Sequence, residues 1–205
     1  MRAEILAFGT EILMGEIVDT NSAYMAARLP ALGVELHDIS VAGDHMEELT
    51  SSLRRAMERS EIIFVTGGLG PTKDDLTRQA IAEVLGEEIQ VDPELLAELE
   101  NWFKGRNAGP MPTGNIQQAT RIPSVEILKN PQGTAPGWWA EKSGRIIVAM
   151  PGVPSEMEYM WEHQVTPRLR ERPTGTVILS RTLKTFSLSE AAAGDAVEHL
   201  FNKDN

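Results

Sequence analysis

The sequence predicts an α/β fold: a largely parallel sheet with helices on both faces. Three observations lead there. From residue 3 to residue 85, short apolar runs alternate with amphipathic stretches of helical period. Two of those stretches close on a glycine, at Gly33 and Gly86. A glycine-rich turn joins the apolar run Ile62-Ile63-Phe64-Val65 to the helix-like run that begins at Leu76. A strand–helix–strand order favours parallel pairing, because parallel neighbours need a long crossover and a helix supplies it.

The elements follow in chain order. Residues 3–8 read as a strand, and Gly9 to Asp19 as a polar loop. Asn21 to Leu32 reads as a helix that Pro30 should end or kink early. Residues 34–41 form the second strand, Asp44 sits on the turn after it, and Met46 to Arg59 is the next helix. Residues 61–66 make the third strand, and residues 76–85 the helix that Gly86 stops. Asp92-Pro93-Glu94 is a helix start with Asp as cap and Pro at the first position. Gly105 to Gly114 reads as a loop, Asn115 to Thr120 as a short helix and residues 125–128 as a strand. Trp138 to Ala140 and Arg145 to Met150 read as a hairpin across Lys142-Ser143-Gly144. Pro151-Gly152-Val153-Pro154 turns into a helix from Ser155 to Arg170, and Thr176 to Lys184 is a last strand. In such sheets ligands bind at the carboxyl ends of the strands, and the loops at Gly9, Gly43 and Gly67 occupy that edge.

Composition narrows the chemistry. With 205 residues the chain suffices for one sizeable domain and part of a second. It has no cysteine, which excludes disulfides, thiolate metal sites and cysteine nucleophiles, and fits the cytoplasm. No apolar run is long enough to span a bilayer, and no secretory signal is visible. The formal net charge is -11, without a basic cluster, so no nucleic-acid partner is expected. A phosphate ligand must then be held locally, by backbone amides, a few cations or a metal.

The turn Thr66-Gly67-Gly68-Leu69-Gly70-Pro71-Thr72-Lys73-Asp74-Asp75-Leu76-Thr77 is neither a dinucleotide fingerprint nor a P-loop. Its glycines either make a tight turn or offer amides to an anion, and Asp74 or Asp75 either caps the helix or meets a ligand. An acidic pair beside a phosphate suggests a metal-bridged ester. Within Gly9-Thr10-Glu11 and Gly15 to Asn21, Asp19 or Thr20 is the helix cap, while Glu11 has no local structural task. Asn130-Pro131-Gln132-Gly133-Thr134-Ala135-Pro136-Gly137 is a stiff turn with free amides. At Pro151-Gly152-Val153-Pro154-Ser155-Glu156, Glu156 either complements the helix dipole or joins Asp74 and Asp75 in a carboxylate cluster. Trp138 and Trp139 read as core, with base stacking by one ring as the alternative. The four histidines are scattered and no G-x-S-x-G elbow is present.

The segments 9–21, 66–77, 130–137 and 151–157, in that order, resemble the CinA (competence/damage-inducible protein A) family over residues 1–172. The resemblance implies a MoaB/MogA-like, molybdopterin-binding-type domain: a three-layer α/β/α sandwich with a mostly parallel mixed sheet. Two functional aspartates of molybdenum cofactor proteins match Asp44 and Asp75. Residues 173–205 resemble the start of a truncated KH-like segment, with Ser187 where relatives have Gly. The resemblance implies that full-length relatives continue into an amidase domain, whose activity is not carried over to these residues.

The resemblance also implies metal-dependent hydrolysis of ADP-ribose to AMP and ribose 5-phosphate, with a non-catalytic molybdopterin- or nucleotide-binding domain as the alternative. The expected catalytic residues are Asp44, Asp74 and Asp75. A divalent ion (Mg, Co, Mn or Ni) is expected on Asp74, Asp75 and Glu156. The expected ligand contacts are Gly9, Thr10, Glu11, Asn21, Thr66, Gly67, Gly68, Gly70, Lys73, Asn130, Gly133, Thr134, Ala135, Pro151 and Gly152. The partners expected are a small nucleotide and further copies of the chain, in a dimer or larger assembly.

Overall fold

The computed structural model describes residues 1–106, 109–172 and 184–200. Its centre is a six-stranded mixed sheet. Strands β1 (Arg2–Phe8), β2 (Glu35–Ala42) and β3 (Ile62–Thr66) stand where the sequence places them. So do β6 (Val125–Leu128), β7 (Gly137–Lys142) and β8 (Arg145–Met150). The order across the sheet is β2-β1-β3-β8-β7-β6. The first four run parallel, and the β7–β8 hairpin makes the remainder antiparallel.

Helices cover both faces. On one, Leu6, Phe8, Ile63 and Val65 pack against Leu49 and Leu53 of α3 (Met46–Arg59) and Ala80 and Ile81 of α4 (Thr77–Leu85). On the other, Ile5, Phe64 and Val148 meet Met25 of α2 (Thr20–Arg28) and Met157 and Met160 of α6 (Pro154–Met160). The period-two alternation of the strands sends successive side chains to the two cores. Glu4 lies fully buried on the Leu6 face, where it accepts hydrogen bonds from Arg59 (2.6 Å) and Ser60 (2.8 Å). A buried carboxylate needs such donors, because an unpaired charge there costs several kcal/mol.

Pro30 acts as expected: α2 stops at Arg28 and a 3₁₀ turn, Leu29–Leu32, carries the chain to Gly33 at φ 68°. The helix expected over 155–170 is interrupted. After α6 comes a π turn, Trp161–Val165, and then α7 (Thr166–Arg170) with Pro167 in its first turn. Proline there has no N–H to donate and its ring crowds the carbonyl four residues back, so the wider turn just before it removes the conflict.

Some elements were not legible. The loop after β1 begins with a one-turn helix, α1 (Thr10–Leu13). Gln90–Val91 (β4) and Thr120–Arg121 (β5) pair as a small antiparallel sheet flanking α5 (Pro93–Gly105). Two-residue strands are too short to show a period. Residues 113–119 form a 3₁₀ helix where a short helix over 115–120 was expected. The strand expected over 176–184 lies outside the described residues but for Lys184, which is not in a strand; residues 190–197 form α8 (Glu190–Val197), capped by Ser189.

The β7–β8 turn is made by Ser143 and Gly144, at φ 52° and 73°. Two positive φ values mark the type I′ hairpin turn, in which Asn-Gly is the favoured pair. Ser143→Asn is therefore expected to stabilise the fold by about 0.5–1 kcal/mol. A thermal melt, read at the midpoint, checks this.

The topology sets the site. Strands β1, β2, β3 and β8 are parallel, so the loops at residues 9, 43, 67 and 151 leave from one edge. Strand β6 is antiparallel to β7, which is antiparallel to β8, so the loop after β6 leaves from that same edge.

Candidate functional site

The five loops converge on a cleft of about 510 Å³, within the usual ~300–1,000 Å³ of small-molecule sites. Gly9, Glu11, Asn21, Asp44, Thr66, Gly67, Gly68, Gly70, Asp74, Asp75, Thr134, Ala135, Pro151, Gly152 and Glu156 all line it. Thr10 stands behind the wall: its N–H donates to Asp44 Oδ2 (2.9 Å) and its Oγ1 accepts from the Asp44 N–H (3.1 Å). Lys73 is exposed and is not a lining residue, so the expected charge neutralisation by its ammonium is not built into this conformation. Asn130 and Gly133 line a smaller neighbouring compartment.

The glycine turn has steric reasons for its composition. Gly67 adopts φ 92°, and a Cβ there would lie 2.1 Å from the Phe8 carbonyl oxygen. Gly68 adopts φ 63°, and its Cβ would lie 2.2 Å from Thr77 Oγ1. The Thr77 hydroxyl donates to the Gly67 carbonyl (2.8 Å), and the Thr77 N–H to the Gly68 carbonyl (3.2 Å). The double glycine lets the turn lie flat against the end of β1 and the start of α4.

Two of the three glycine amides expected to hold phosphate are already engaged. The Gly67 N–H donates to the Met150 carbonyl (3.1 Å), and the Gly70 N–H to Asp75 Oδ1 (2.8 Å). Among the described residues the N–H groups of Gly68 and Leu69 have no partner. Among these glycines and Leu69, the amides left free are therefore those of Gly68 and Leu69, while Gly67 and Gly70 are engaged.

Neither aspartate caps α4, whose N-cap is Leu76 without a side-chain bond. Asp75 instead braces the turn, accepting from the N–H groups of Gly70 and Thr72 (both 2.8 Å) and from the Thr72 hydroxyl (2.6 Å). The same hydroxyl approaches Asp74 Oδ1, and that contact holds the Asp74 carboxyl below its ordinary pKa. One hydroxyl carries one proton and serves one carboxylate at a time. Two carboxylates crowded on one donor are an arrangement that a cation relieves.

Glu156 is placed differently. It accepts from Asn130 Nδ2 (2.5 Å), and a Cβ on Gly133 would lie 2.3 Å from its carboxylate. Asn130 also donates to the Ala135 carbonyl and accepts from the N–H groups of Gln132 and Gly133. Glu156 therefore fills the space above Gly133 and belongs to the 130–137 turn. The expected three-carboxylate centre is not assembled: among the described residues no three His, Cys, Asp or Glu stand close enough to hold a metal. The donor set that remains, Asp74 and Asp75, consists of hard oxygens that suit a magnesium-like ion completed by phosphate and water.

The electrostatics are lopsided. Glu11, Asp19, Asp44, Asp74, Asp75 and Glu156 line the cleft, and among the described residues no Lys, Arg or His does. Asp19 is the cap of α2, accepting from the Ser22 N–H (2.9 Å). A buried cation, Arg78, 2% exposed, stands behind the glycine turn. It donates to the carbonyls of Leu69 (2.9 Å) and Pro136 (3.1 Å), so it ties the 66–77 turn to the 130–137 turn. Burial pushes its pKa down to about 10, with the Asp75 charge opposing. Its Nε is buried without a partner. Arg78→Met leaves the Pro136 carbonyl without a donor and the Leu69 carbonyl with only the longer bond from Gln118 Nε2 (3.3 Å), and is expected to cost about 1–3 kcal/mol, seen as a lowered melting midpoint; Arg78→Lys, with one flexible ammonium, should recover part.

Sequence reading missed Arg78 and the pair Gln117-Gln118. Gln117 Nε2 donates to the carbonyls of Gly70 and Thr72 (both 2.8 Å), and Gln118 Nε2 to that of Leu69 (3.3 Å). Arginine and glutamine are ordinary surface residues, and nothing in their spacing marks them as loop clamps. Asn21 was expected and is there: its Nδ2 donates to the Gly152 carbonyl (2.9 Å), while its buried Oδ1 has no partner. Trp138 and Trp139 are core residues and line no part of the cleft, which removes the base-stacking alternative for them.

Comparison with known proteins agrees with this architecture. Residues 4–171 match the family model "Probable molybdopterin binding domain". A CinA-like protein of Thermomicrobium roseum is 46% identical over 200 residues, covering 98% of this chain and 49% of the relative. One from Deinococcus deserti is 44% identical over 205 residues, 99% of this chain and 50% of the relative. The chain thus spans about half the length of the curated relatives it matches. The crystal structure of the protein CinA, of unknown function, from Thermoplasma acidophilum superposes with a TM-score of 0.75 at 31% identity, covering 81% of this chain and 96% of that one. The molybdopterin biosynthesis enzyme MoaB of Thermus thermophilus shares the fold at a TM-score of 0.53 and 20% identity, over 85% of this chain and 99% of its own. No described helix is long and apolar enough to cross a membrane. The chain therefore belongs to the molybdopterin-binding-domain family, in its CinA-like branch.

Proposed function

We propose that the cleft hydrolyses ADP-ribose to AMP and ribose 5-phosphate with a divalent ion. One observation carries this reading: Gly68 and Leu69, whose backbone amides are unpartnered, line a cleft walled by carboxylates and, among the described residues, by no basic side chain. A pyrophosphate enters such a cleft only with its charge offset by a cation. Asp74 and Asp75 would hold that ion, which when bound supplies Lewis-acid stabilisation of the phosphate oxygens.

The chain's own residues do the rest. The N–H groups of Gly68 and Leu69 donate hydrogen bonds to the phosphate oxygens, with Arg78 behind them as a fixed positive charge. Asn21 Oδ1, buried and unpartnered, suits a ribose hydroxyl as donor. Asp44 is held by Thr10 through Oδ2, which leaves Oδ1 to accept a hydrogen bond from the attacking water. The water oxygen forms a bond to one phosphorus and the bridging P–O bond breaks, giving the two monophosphates.

Incubation with ADP-ribose and each of Mg²⁺, Mn²⁺, Co²⁺ and Ni²⁺, with AMP measured as product, tests the proposal. AMP should appear with at least one ion and stop on chelation. The engagement of Asp75 by Gly70 and Thr72 favours a second reading, a non-catalytic molybdopterin- or nucleotide-binding domain. Tight nucleotide binding with no turnover under any ion would select it.

A further inference from the structure

Three successive carbonyls of the glycine turn are held from behind, chiefly by two adjacent residues. The Gly67 carbonyl accepts from the Thr77 hydroxyl (2.8 Å), and the Gly68 carbonyl from the Thr77 N–H (3.2 Å). The Leu69 carbonyl accepts from the Arg78 guanidinium (2.9 Å) and from Gln118 Nε2 (3.3 Å). Thr77 opens α4, is fully buried and lines no part of the cleft. The turn residues Gly67, Gly68, Leu69 and Gly70 all line it.

Each carbonyl shares a peptide plane with the N–H of the next residue. In a trans peptide the two groups point to opposite edges of that plane, and these peptides are trans. Carbonyls drawn back toward α4 therefore send the N–H groups of Gly68, Leu69 and Gly70 the other way. The third of them shows what this edge of the turn accepts: the Gly70 N–H donates to a carboxylate oxygen, Asp75 Oδ1 (2.8 Å). The first two have no partner among the described residues. Gly68, at φ 63°, is followed by Leu69 at negative φ, and backbone of alternating hand gathers successive N–H groups into an anion-binding concavity. The withdrawal of the carbonyls matters as much, because a carbonyl oxygen turned into the cleft would repel a phosphate oxygen.

We infer that Thr77 is a positioning residue of the anion site: its hydroxyl and its own amide set the two peptides whose N–H groups are free. The inference rests on the phosphate reading above and adds to it a residue that touches no ligand. The hydroxyl is the part that a substitution removes, since the backbone bond to Gly68 needs no side chain. Without the hydroxyl, the peptide between Gly67 and Gly68 loses its tether. Neither flanking residue has a Cβ to restrain it, so the Gly68 N–H loses its direction.

The test takes inorganic pyrophosphate with Mg²⁺ as the probe and reads two quantities: affinity by calorimetry, and the amide proton shifts of Gly68 and Leu69 in an isotope-labelled chain. In the wild type both protons should move downfield at saturation, as hydrogen bonds to a charged acceptor form. Thr77→Val keeps the shape and deletes the O–H. It should weaken pyrophosphate roughly tenfold, the low end for one hydrogen bond to a charged group, and shrink the Gly68 shift more than the Leu69 shift. Thr77→Ser keeps the O–H and should restore most of the affinity. Each chain is measured well below its own melting midpoint. A residue with a packing role alone would lower that midpoint and leave affinity and both shifts as they were; that result in Thr77→Val overturns the inference. So does pyrophosphate binding in the wild type with neither amide shifted, and in both cases the acidic pair and its ion still stand. Pyrophosphate that fails to bind a chain able to bind ADP-ribose overturns it too, because amides take phosphate oxygens from either. Where Thr77→Val does not fold, Thr77→Cys, whose S–H is a weak donor, is read by the same outcomes. If neither pyrophosphate nor ADP-ribose binds with any ion, the phosphate reading itself fails and takes the inference with it.

Discussion

Gly67→Ala is expected to destabilise the chain by about 4 kcal/mol or more, in the tail of point-mutation effects. At roughly 2–4 °C per kcal/mol for a chain of this size, that is a fall of about 10 °C in melting midpoint. Two penalties combine. The backbone sits at φ 92°, where an L side chain is strained. The added methyl would also lie 2.1 Å from the Phe8 carbonyl oxygen, a backbone atom of a strand flanked on both sides and unable to swing aside. Gly15→Ala is the control. Gly15 also has a positive φ, 72°, but nothing lies within 4 Å of its Cβ. That variant isolates the conformational term, about 1–2 kcal/mol. If the two variants melt within a few degrees of one another, the steric account of Gly67 is wrong.

The same glycine shows what could and could not be read in the sequence. Its place between an apolar strand and a helix was visible, and so was the edge of the sheet on which it falls. The four parallel strands, the hairpin at 143–144 and the end of α2 near Pro30 were legible because each has a short-range cause: a period, a turn pair, a missing N–H. What glycine was for was less legible. An exposed amide for a ligand and a missing Cβ for a carbonyl look identical in sequence, and at Gly67 the second is what the structure shows, with the amide donating to Met150. Asp75 gave the same ambiguity between cap and ligand, and the structure gives a third outcome, a brace across its own turn. Glu156 and Asn130 lie 26 residues apart, so their contact has no local sequence signal. Arg78 and Gln117 depend on packing between distant segments in the same way.

Asp75→Asn is expected to lower ADP-ribose turnover by a factor of ~10²–10³, or about 2.7–4 kcal/mol, the usual cost of losing one oriented electrostatic partner. The brace adds a consequence for the fold. A carboxylate can accept from the Gly70 N–H, the Thr72 N–H and the Thr72 hydroxyl together, whereas an asparagine turns one of its two positions into a donor. An N–H would then face an N–H, at about 1–3 kcal/mol for the unsatisfied groups. A small drop in melting midpoint should therefore accompany the loss of activity, and a loss of activity in this variant alone does not separate chemistry from loop geometry. Asp74→Asn separates them. Among the described residues the one side-chain donor to Asp74 is the Thr72 hydroxyl, which keeps Asp75 as its acceptor when Asp74 is neutral. Its melting midpoint should stay at the wild-type value while turnover falls and the concentration of Mg²⁺ needed for half-maximal rate rises. Wild-type turnover and wild-type Mg²⁺ dependence in Asp74→Asn would take that carboxylate out of the ion's coordination, and the same result in a folded Asp75→Asn would take the acidic pair out of the chemistry altogether.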